Sequence, residues 1–365
     1  RFNTTVSAIA SANGITNVNL IFPGQVLNIP GGTGTPVDPG TPTDPVDPPP
    51  NPGNPVTGTF ELGGHVDRFT FPDQMRGAGM TWAKRQIRYN QGDPASIVQG
   101  AIDEARANGF RILLGVVGDP GQLGANRTQY IQDFANFLSG VAALGPDGIE
   151  IWNEPNIDRE WPSGLISGQQ YTQMLSAAYQ SIKSANSSVL VISGAPAPTG
   201  AAAAFPGQVV NDDDFIAQMA QAGAANFADC IGIHYNEGIV PPTATSGDTR
   251  GNPNYYTRYY PTMVSLYAAN FPGRQLCFTE LGYLTREGYG PLPANFAWAA
   301  NTTAAQQAQW LGQAVQLSRS NPSIRMMIVW NVNFTQYDVD PQAGYAIIRP
   351  DGSCAACAQM GAAMQ

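Results

Sequence analysis

From residue 60 onward the chain alternates short apolar runs with longer amphipathic runs, and this alternation limits the fold more than any other feature. Strand-like runs occupy 60–64, 82–88, 111–118, 148–152, 189–194, 230–235, 275–279 and 325–330. Helix-like runs occupy 72–79, 94–108, 127–144, 167–184, 212–223, 255–270, 302–320 and 353–364. Several carry proper stops, such as Asn108-Gly109 and Leu144-Gly145-Pro146. Eight strands alternating with eight helices predict an α/β fold, a (β/α)8 barrel. A doubly wound open sheet is the alternative. It loses ground because no Gly-x-Gly-x-x-Gly follows the first strand and no phosphate loop occurs.

Composition narrows the partners. Charged residues make only 12% of the chain, and the net charge is −9 with 18 Lys and Arg. No basic cluster appears, which argues against nucleic acid or an anionic membrane as partner. No apolar run is long enough for a transmembrane helix. The chain opens at Arg1 with no methionine, which reads as a processed or truncated start.

The first 30 residues are a separate piece. Thr4-Thr5-Val6 through Asn13-Gly14 read as a short capped helix, Pro23-Gly24-Gln25 as a turn, and residues 26–30 as a short strand. The run ending Pro23-Gly24-Gln25-Val26-Leu27-Asn28-Ile29-Pro30 resembles the C-terminal two-thirds of a LysM module. That resemblance implies contact with peptidoglycan or chitin, and a secreted or cell-surface location. The family's first strand and its Gly-Asp-Thr-Leu signature have no counterpart here. Residues 31–56 are a Pro, Gly, Thr and Asp-rich linker, too polar to fold and stiffened by proline. Residues 57–365 then form the barrel domain.

The strand tips carry the chemistry, because barrel active sites lie at the C-terminal ends of the strands. Strand four ends in Trp152-Asn153-Glu154-Pro155, strand seven in Thr279-Glu280-Leu281-Gly282, strand six in His234-Tyr235-Asn236 and strand eight in Trp330-Asn331. Strand one ends near Gly64-His65. Two carboxylates at one barrel mouth, beside aromatic rings, are what glycoside cleavage needs: one to protonate the leaving oxygen, one to stay ionised.

These motifs resemble the clan of retaining (β/α)8 glycosidases with catalytic glutamates after strands four and seven, which includes families 5, 39 and 53. The resemblance implies Glu154 as acid/base, Glu280 as nucleophile and Asn153 on the sugar 2-hydroxyl. It implies His234 or Tyr235 as a support for the nucleophile, and Trp330 and Trp152 as sugar-contacting rings. Clan members often place an Arg of strand two on the nucleophile. Alternation puts Lys84, Gln86 and Arg88 inside the barrel; Arg88 at the tip is favoured, with Lys84 and Arg85 as alternatives. The implied substrate is a β-linked polysaccharide or oligosaccharide, among cellulose, mannan, xylan, galactan, β-1,3-glucan and glycolipids. Neither cofactor nor metal is implied. Trp161, Tyr283, Tyr289 and Trp298 are further candidates for cleft walls, or else loop anchors.

Two runs have simpler readings. Asp212-Asp213-Asp214 fits a helix start better than a calcium site, and the tyrosine-rich 255–260 fits helix packing. Cys230 and Cys277 lie in apolar runs. Strict alternation gives Cys230 the parity of His234 and Cys277 the parity opposite to Glu280, which argues against a bridge. Cys354 and Cys357 are close enough in sequence for a local disulfide or else carry no function.

Overall fold

The computed structural model describes residues 4–13, 28–30 and 60–365. The chain divides into two units, Arg1–Asn51 and Pro52–Gln365. In the first, a helix spans Val6–Ala12, and Thr5 caps it by accepting from the Ala8 amide. At its other end Asn13 is tied to Asn28. The Asn28 amide donates to Oδ1 of Asn13 (2.6 Å), and Nδ2 of Asn13 donates to the Asn28 carbonyl (2.7 Å). Most of the expected strand at 26–30, and the linker, lie outside the described residues.

The second unit is the expected barrel. Its strands are β1 (Glu61–His65), β2 (Trp82–Arg88), β3 (Arg111–Val117), β4 (Gly148–Ile151), β5 (Leu190–Ser193), β6 (Ile231–Tyr235), β7 (Leu276–Leu281) and β8 (Ile324–Val329). They pair in parallel in the order β5-β4-β3-β2-β1-β8-β7-β6, and a single bridge, Ile192 to Cys230, joins the two ends. Alternation sorts the strand residues. Leu62, Ala83, Ile112, Leu114, Ile149 and Val191 point outward into the main core beneath the helices. Trp82, Leu113, Ile192, Cys230, Cys277 and Met326 point inward and plug the barrel floor. An apolar floor with polar residues above it directs any chemistry to one end.

The helices follow the expected runs, with differences that have local causes. The 94–108 run opens as a 3-10 turn, Ala95–Val98, before the helix Gln99–Ala107. The 255–270 run breaks into Tyr256–Arg258 and Tyr260–Asn270. Pro261 has no N–H to donate, so it opens a helix rather than continuing one. An extra helix, Pro120–Ala125, follows β3; Asp119 caps it, with Pro120 in the first turn. The three aspartates do start the helix Asp212–Gln221. Asp212 is buried against Tyr256, and burial pushes its carboxyl up to about 7.

The cysteine expectation is corrected: Cys230 and Cys277 are bonded, with Cα atoms 5.9 Å apart. Strict alternation misled because β7 contains a bulge. Ile233 pairs with Phe278, but His234 pairs with Glu280, so Thr279 is an extra residue. A bulge shifts side-chain phase by one. Cys277 below the bulge and Glu280 above it therefore both face inward. The bridge closes a 47-residue separation beside the thinly paired β5–β6 seam, and chain entropy alone gives such a loop about 4 kcal/mol. Cys354 and Cys357 form the local disulfide at the start of the last helix, Ala355–Met364.

Candidate active site

The motif after β4 owes its shape to two backbone conformations. Trp152 has φ 74° and Glu154 φ 44°, the two non-glycine residues in the left-handed region among the described residues. Such strain persists where the surroundings over-determine it, and it clusters at functional sites. Two anchors do so here. The Trp152 indole donates to the Glu160 carbonyl (2.7 Å). The Asn156 side chain donates to the carbonyls of Ala197 (2.9 Å) and Val210 (3.0 Å) and accepts from the Ala197 amide (2.7 Å). With both ends pinned, Asn153 and Glu154 face the same cleft.

That cleft has a volume of about 560 Å³ and lies at the C-terminal ends of the strands. Glu154 and Glu280 both line it, and His234 joins them from beneath. Nδ1 of His234 is 3.4 Å from Oε1 of Glu154 and 3.8 Å from Oε2 of Glu280. The two oxygens are therefore at most about 7 Å apart, a bound that admits both the ≈5–5.5 Å spacing of retaining carboxylate pairs and the shortest inverting spacings. Glu280 also accepts from Nδ2 of Asn236 (3.2 Å) and Nζ of Lys84 (3.4 Å), and Nδ1 of His65 lies 3.9 Å away. The two histidines of the chain thus both stand beside Glu280.

Their charges are set in opposite directions. Burial, reinforced by Lys84 and Arg85, holds the His65 imidazole well below the usual histidine range. Burial also works against a charged His234, but Glu280 and Glu154 outweigh it and raise that imidazole. For Glu154, burial favours the neutral acid, yet His234 and Arg159 prevail and hold the carboxyl below its ordinary value. Nη2 of Arg159 donates to Oε2 of Glu154 at 2.5 Å.

Beneath Glu280 lies a buried ion pair. Nζ of Lys84 is 2.7 Å from Oε2 of Glu150, and neither side chain is more than 1% exposed. Lys84 also donates to the carbonyl of the bulge residue Thr279 (3.2 Å). Burial opposes its charge, but Glu150 and Glu280 raise its pKa overall. Gly115 makes room for the pair: a Cβ there would lie 3.1 Å from Cε of Lys84 and 3.3 Å from Oε2 of Glu150.

Of the residues read from sequence, Asn153, Glu154, Glu280, Trp330 and Arg88 line the cleft. Trp330 lies edge-on to His65 (4.9 Å) and Phe334 (5.1 Å), and its peptide bond to Asn331 is cis. Three expectations are corrected. Trp152 is fully enclosed among Tyr130, Phe134 and Trp161, and it anchors the loop rather than meeting a ligand. Tyr235 is equally enclosed, with its hydroxyl on the Arg258 carbonyl (3.1 Å), so of the two it is His234 that meets the carboxylates. Arg88 does not touch Glu280; it makes two hydrogen bonds to Glu160 (2.8 and 3.1 Å), and the strand-two cation on Glu280 is Lys84. Among the loop aromatics, Trp298 lines the cleft with Arg250 stacked on its ring (4.8 Å). Trp161 and Tyr283 are buried, and Tyr289 stacks on Tyr337.

Sequence reading missed Glu150, Arg159, Phe296 and Tyr345. Only Glu150 left a signal: it shares inward parity with Gly148 in a buried strand, and a buried acid needs a cation such as Lys84. Two side-chain oxygens at the site, Oδ1 of Asn153 and Oδ1 of Asn236, have no protein partner. Buried polar atoms seldom stay unpaired without a reason, and ligand binding is one.

Residues 1–30 match the LysM domain family. No curated protein matches the chain. The structure is similar to that of a glucosidase from Croceicoccus marinus, with a TM-score of 0.57, 14% identity, and coverage of 86% of this chain and 69% of that one. It is also similar to XacCel5A (TM-score 0.54, 13% identity, 84% and 98% covered). The third is an endo-1,4-β-mannanase from Rhizomucor miehei (TM-score 0.51, 14% identity, 84% and 95% covered). At these identities the similarity establishes the barrel fold.

Proposed function

We propose that the barrel is a retaining glycoside hydrolase acting on a β-linked polysaccharide or oligosaccharide. The observation that carries this reading is that Glu154 and Glu280 lie 3.4 and 3.8 Å from one imidazole nitrogen, in a cleft lined by Trp298, Phe296 and Trp330. Aromatic faces hold the apolar side of a sugar ring, and polar groups fix its hydroxyls.

The roles follow from what each carboxylate touches. Glu280 accepts from Lys84 and Asn236, which fix the orientation of its carboxylate. It attacks the anomeric carbon and forms a glycosyl-enzyme intermediate. Glu154, the more exposed of the two at 13% against 8%, gives its proton to the departing oxygen and then takes one from the incoming water. Asn153, adjacent and unpaired at Oδ1, is placed for a sugar hydroxyl. The N-terminal LysM match fits a chain held near glycan outside the cell, and no helix among the described residues is long and apolar enough to cross a membrane.

A panel of β-1,4-gluco-, manno- and xylo-oligosaccharides and β-1,3-gluco-oligosaccharides tests this reading. The wild type is expected to release reducing ends from at least one of them. Glu154→Ala is expected to lose on the order of 10²–10⁴-fold on that substrate. On an aryl glycoside whose leaving group departs without a proton, its glycosylation step recovers. No turnover by the wild type on any glycan would favour the other reading, a cell-wall-anchored glycan-binding or scaffold protein with a degenerate barrel.

A further inference from the structure

Arg159 lies in the turn after β4, five residues beyond Glu154, and its side chain is 65% exposed. It has two anionic partners. One is Oε2 of Glu154 at 2.5 Å; the other is Oε1 of Glu160, 3.6 Å from its Nε. Glu160 is enclosed, at 4% exposure, and held in place by Arg88. It is thus a fixed anion with a second cation already beside it. Asp340, on the segment after β8, lines the same cleft, and its charge also favours the protonated Arg159 guanidinium.

The two oxygens of Glu154 differ in what they meet. Oε1 faces the buried His234, while Oε2, the one Arg159 covers, is the oxygen left to meet a departing group. Arg159 and a sugar on the leaving-group side therefore compete for the same oxygen. A guanidinium on that oxygen favours the carboxylate and so opposes the proton an acid catalyst must carry.

We propose that Arg159 is a latch on Glu154: it covers Oε2 in the free chain, and a sugar bound on the leaving-group side moves it onto Glu160. This rests on the assignment of Glu154 as acid/base. The move keeps the guanidinium paired, so uncovering Glu154 does not leave a lone charge behind. Glu154 then takes a proton from solvent, gives it to the glycosidic oxygen as the C–O bond breaks, and regains one from water in the second step. In the free chain the groups facing Glu154 are Arg159 from its own turn and His234 from β6, with Glu280 of β7 and Lys84 of β2 acting on His234 in turn. Burial favours the neutral acid, and Arg159 and His234 together overcome it.

The test is a pair of pH profiles for wild type, Arg159→Gln and Arg159→Lys, measured on an unactivated β-linked tetrasaccharide that the wild type cleaves. The alkaline limb of kcat/KM reports the free enzyme, and that of kcat the substrate complex. In the wild type the kcat limb is expected to lie above the kcat/KM limb. In Arg159→Gln the kcat/KM limb rises by about one pH unit, since an adjacent Arg depresses a carboxyl by that order, and the kcat limb stays in place. Arg159→Lys retains most of the wild-type gap. If both limbs rise together, Arg159 remains on Glu154 in the complex and the latch is wrong; if neither moves, Arg159 does not govern Glu154. A wild type that cleaves none of the panel glycans overturns the site assignment itself, and the latch with it.

Discussion

Replacing Glu280 by Gln is expected to lower kcat on a cleaved glycan by about 10⁵-fold, or about 7 kcal/mol of barrier, while leaving the fold intact. Gln keeps the shape and can still accept from Asn236 and Lys84, but it cannot form the glycosyl ester. Lys84 retains Glu150 at 2.7 Å, so no buried charge is left alone. The chain offers an independent readout, because its two histidines are both at the site. Glu280 is the strongest influence raising the His234 imidazole against its burial. Removing that negative charge is expected to lower the His234 titration midpoint, with His65 staying neutral across the same range. Imidazole NMR signals followed against pH check both. A variant that keeps activity within tenfold, with His234 unmoved, would separate Glu280 from the chemistry.

The second large effect is on stability. Lys84→Met leaves Glu150 in the barrel, fully buried and without its cation. Breaking such a pair from one side costs about 3–5 kcal/mol, which urea unfolding would read directly. Adding Glu150→Leu removes the stranded charge and is expected to recover most of that loss, since apolar replacements of a buried pair are often neutral. Activity is not expected to return. The double variant still lacks the ammonium that holds both Glu280 and the Thr279 carbonyl, and a carboxylate displaced by about 1 Å costs about 10²-fold. Recovery of stability and activity together would show that Lys84 serves only the fold. Failure of the double variant to regain stability would show that the pair does more than neutralise itself.

These residues also show what the sequence made legible. The strands and most helices were readable because a buried parallel sheet under amphipathic helices leaves two distinct periods in the chain. Glu154 and Glu280 were readable because each sits at the end of an apolar run. What failed did so where backbone geometry departs from regularity. The bulge at Thr279 reverses the parity of Cys277 relative to Glu280 and so hid the disulfide. The left-handed turns at Trp152 and Glu154 bury the tryptophan of the motif and leave its amide and carboxylate facing the cleft. Parity in β2 placed Lys84 and Arg88 inside correctly, but not their depth. Lys84, level with the floor of the site, reaches Glu280, whereas Arg88 stands at the rim. Arg159 follows Glu154 in an irregular turn, where no periodicity reveals a partner.

The assignment of both glutamates meets its most direct test in the configuration of the first sugar released. Proton NMR of the anomeric signals, in the first minutes of hydrolysis of a β-linked oligosaccharide, distinguishes one displacement from two. Double displacement through Glu280 yields the β-anomer first, with the α-anomer growing in only by mutarotation. Release of the α-anomer first would mean a single displacement by water, and Glu280 would then be a base rather than a nucleophile.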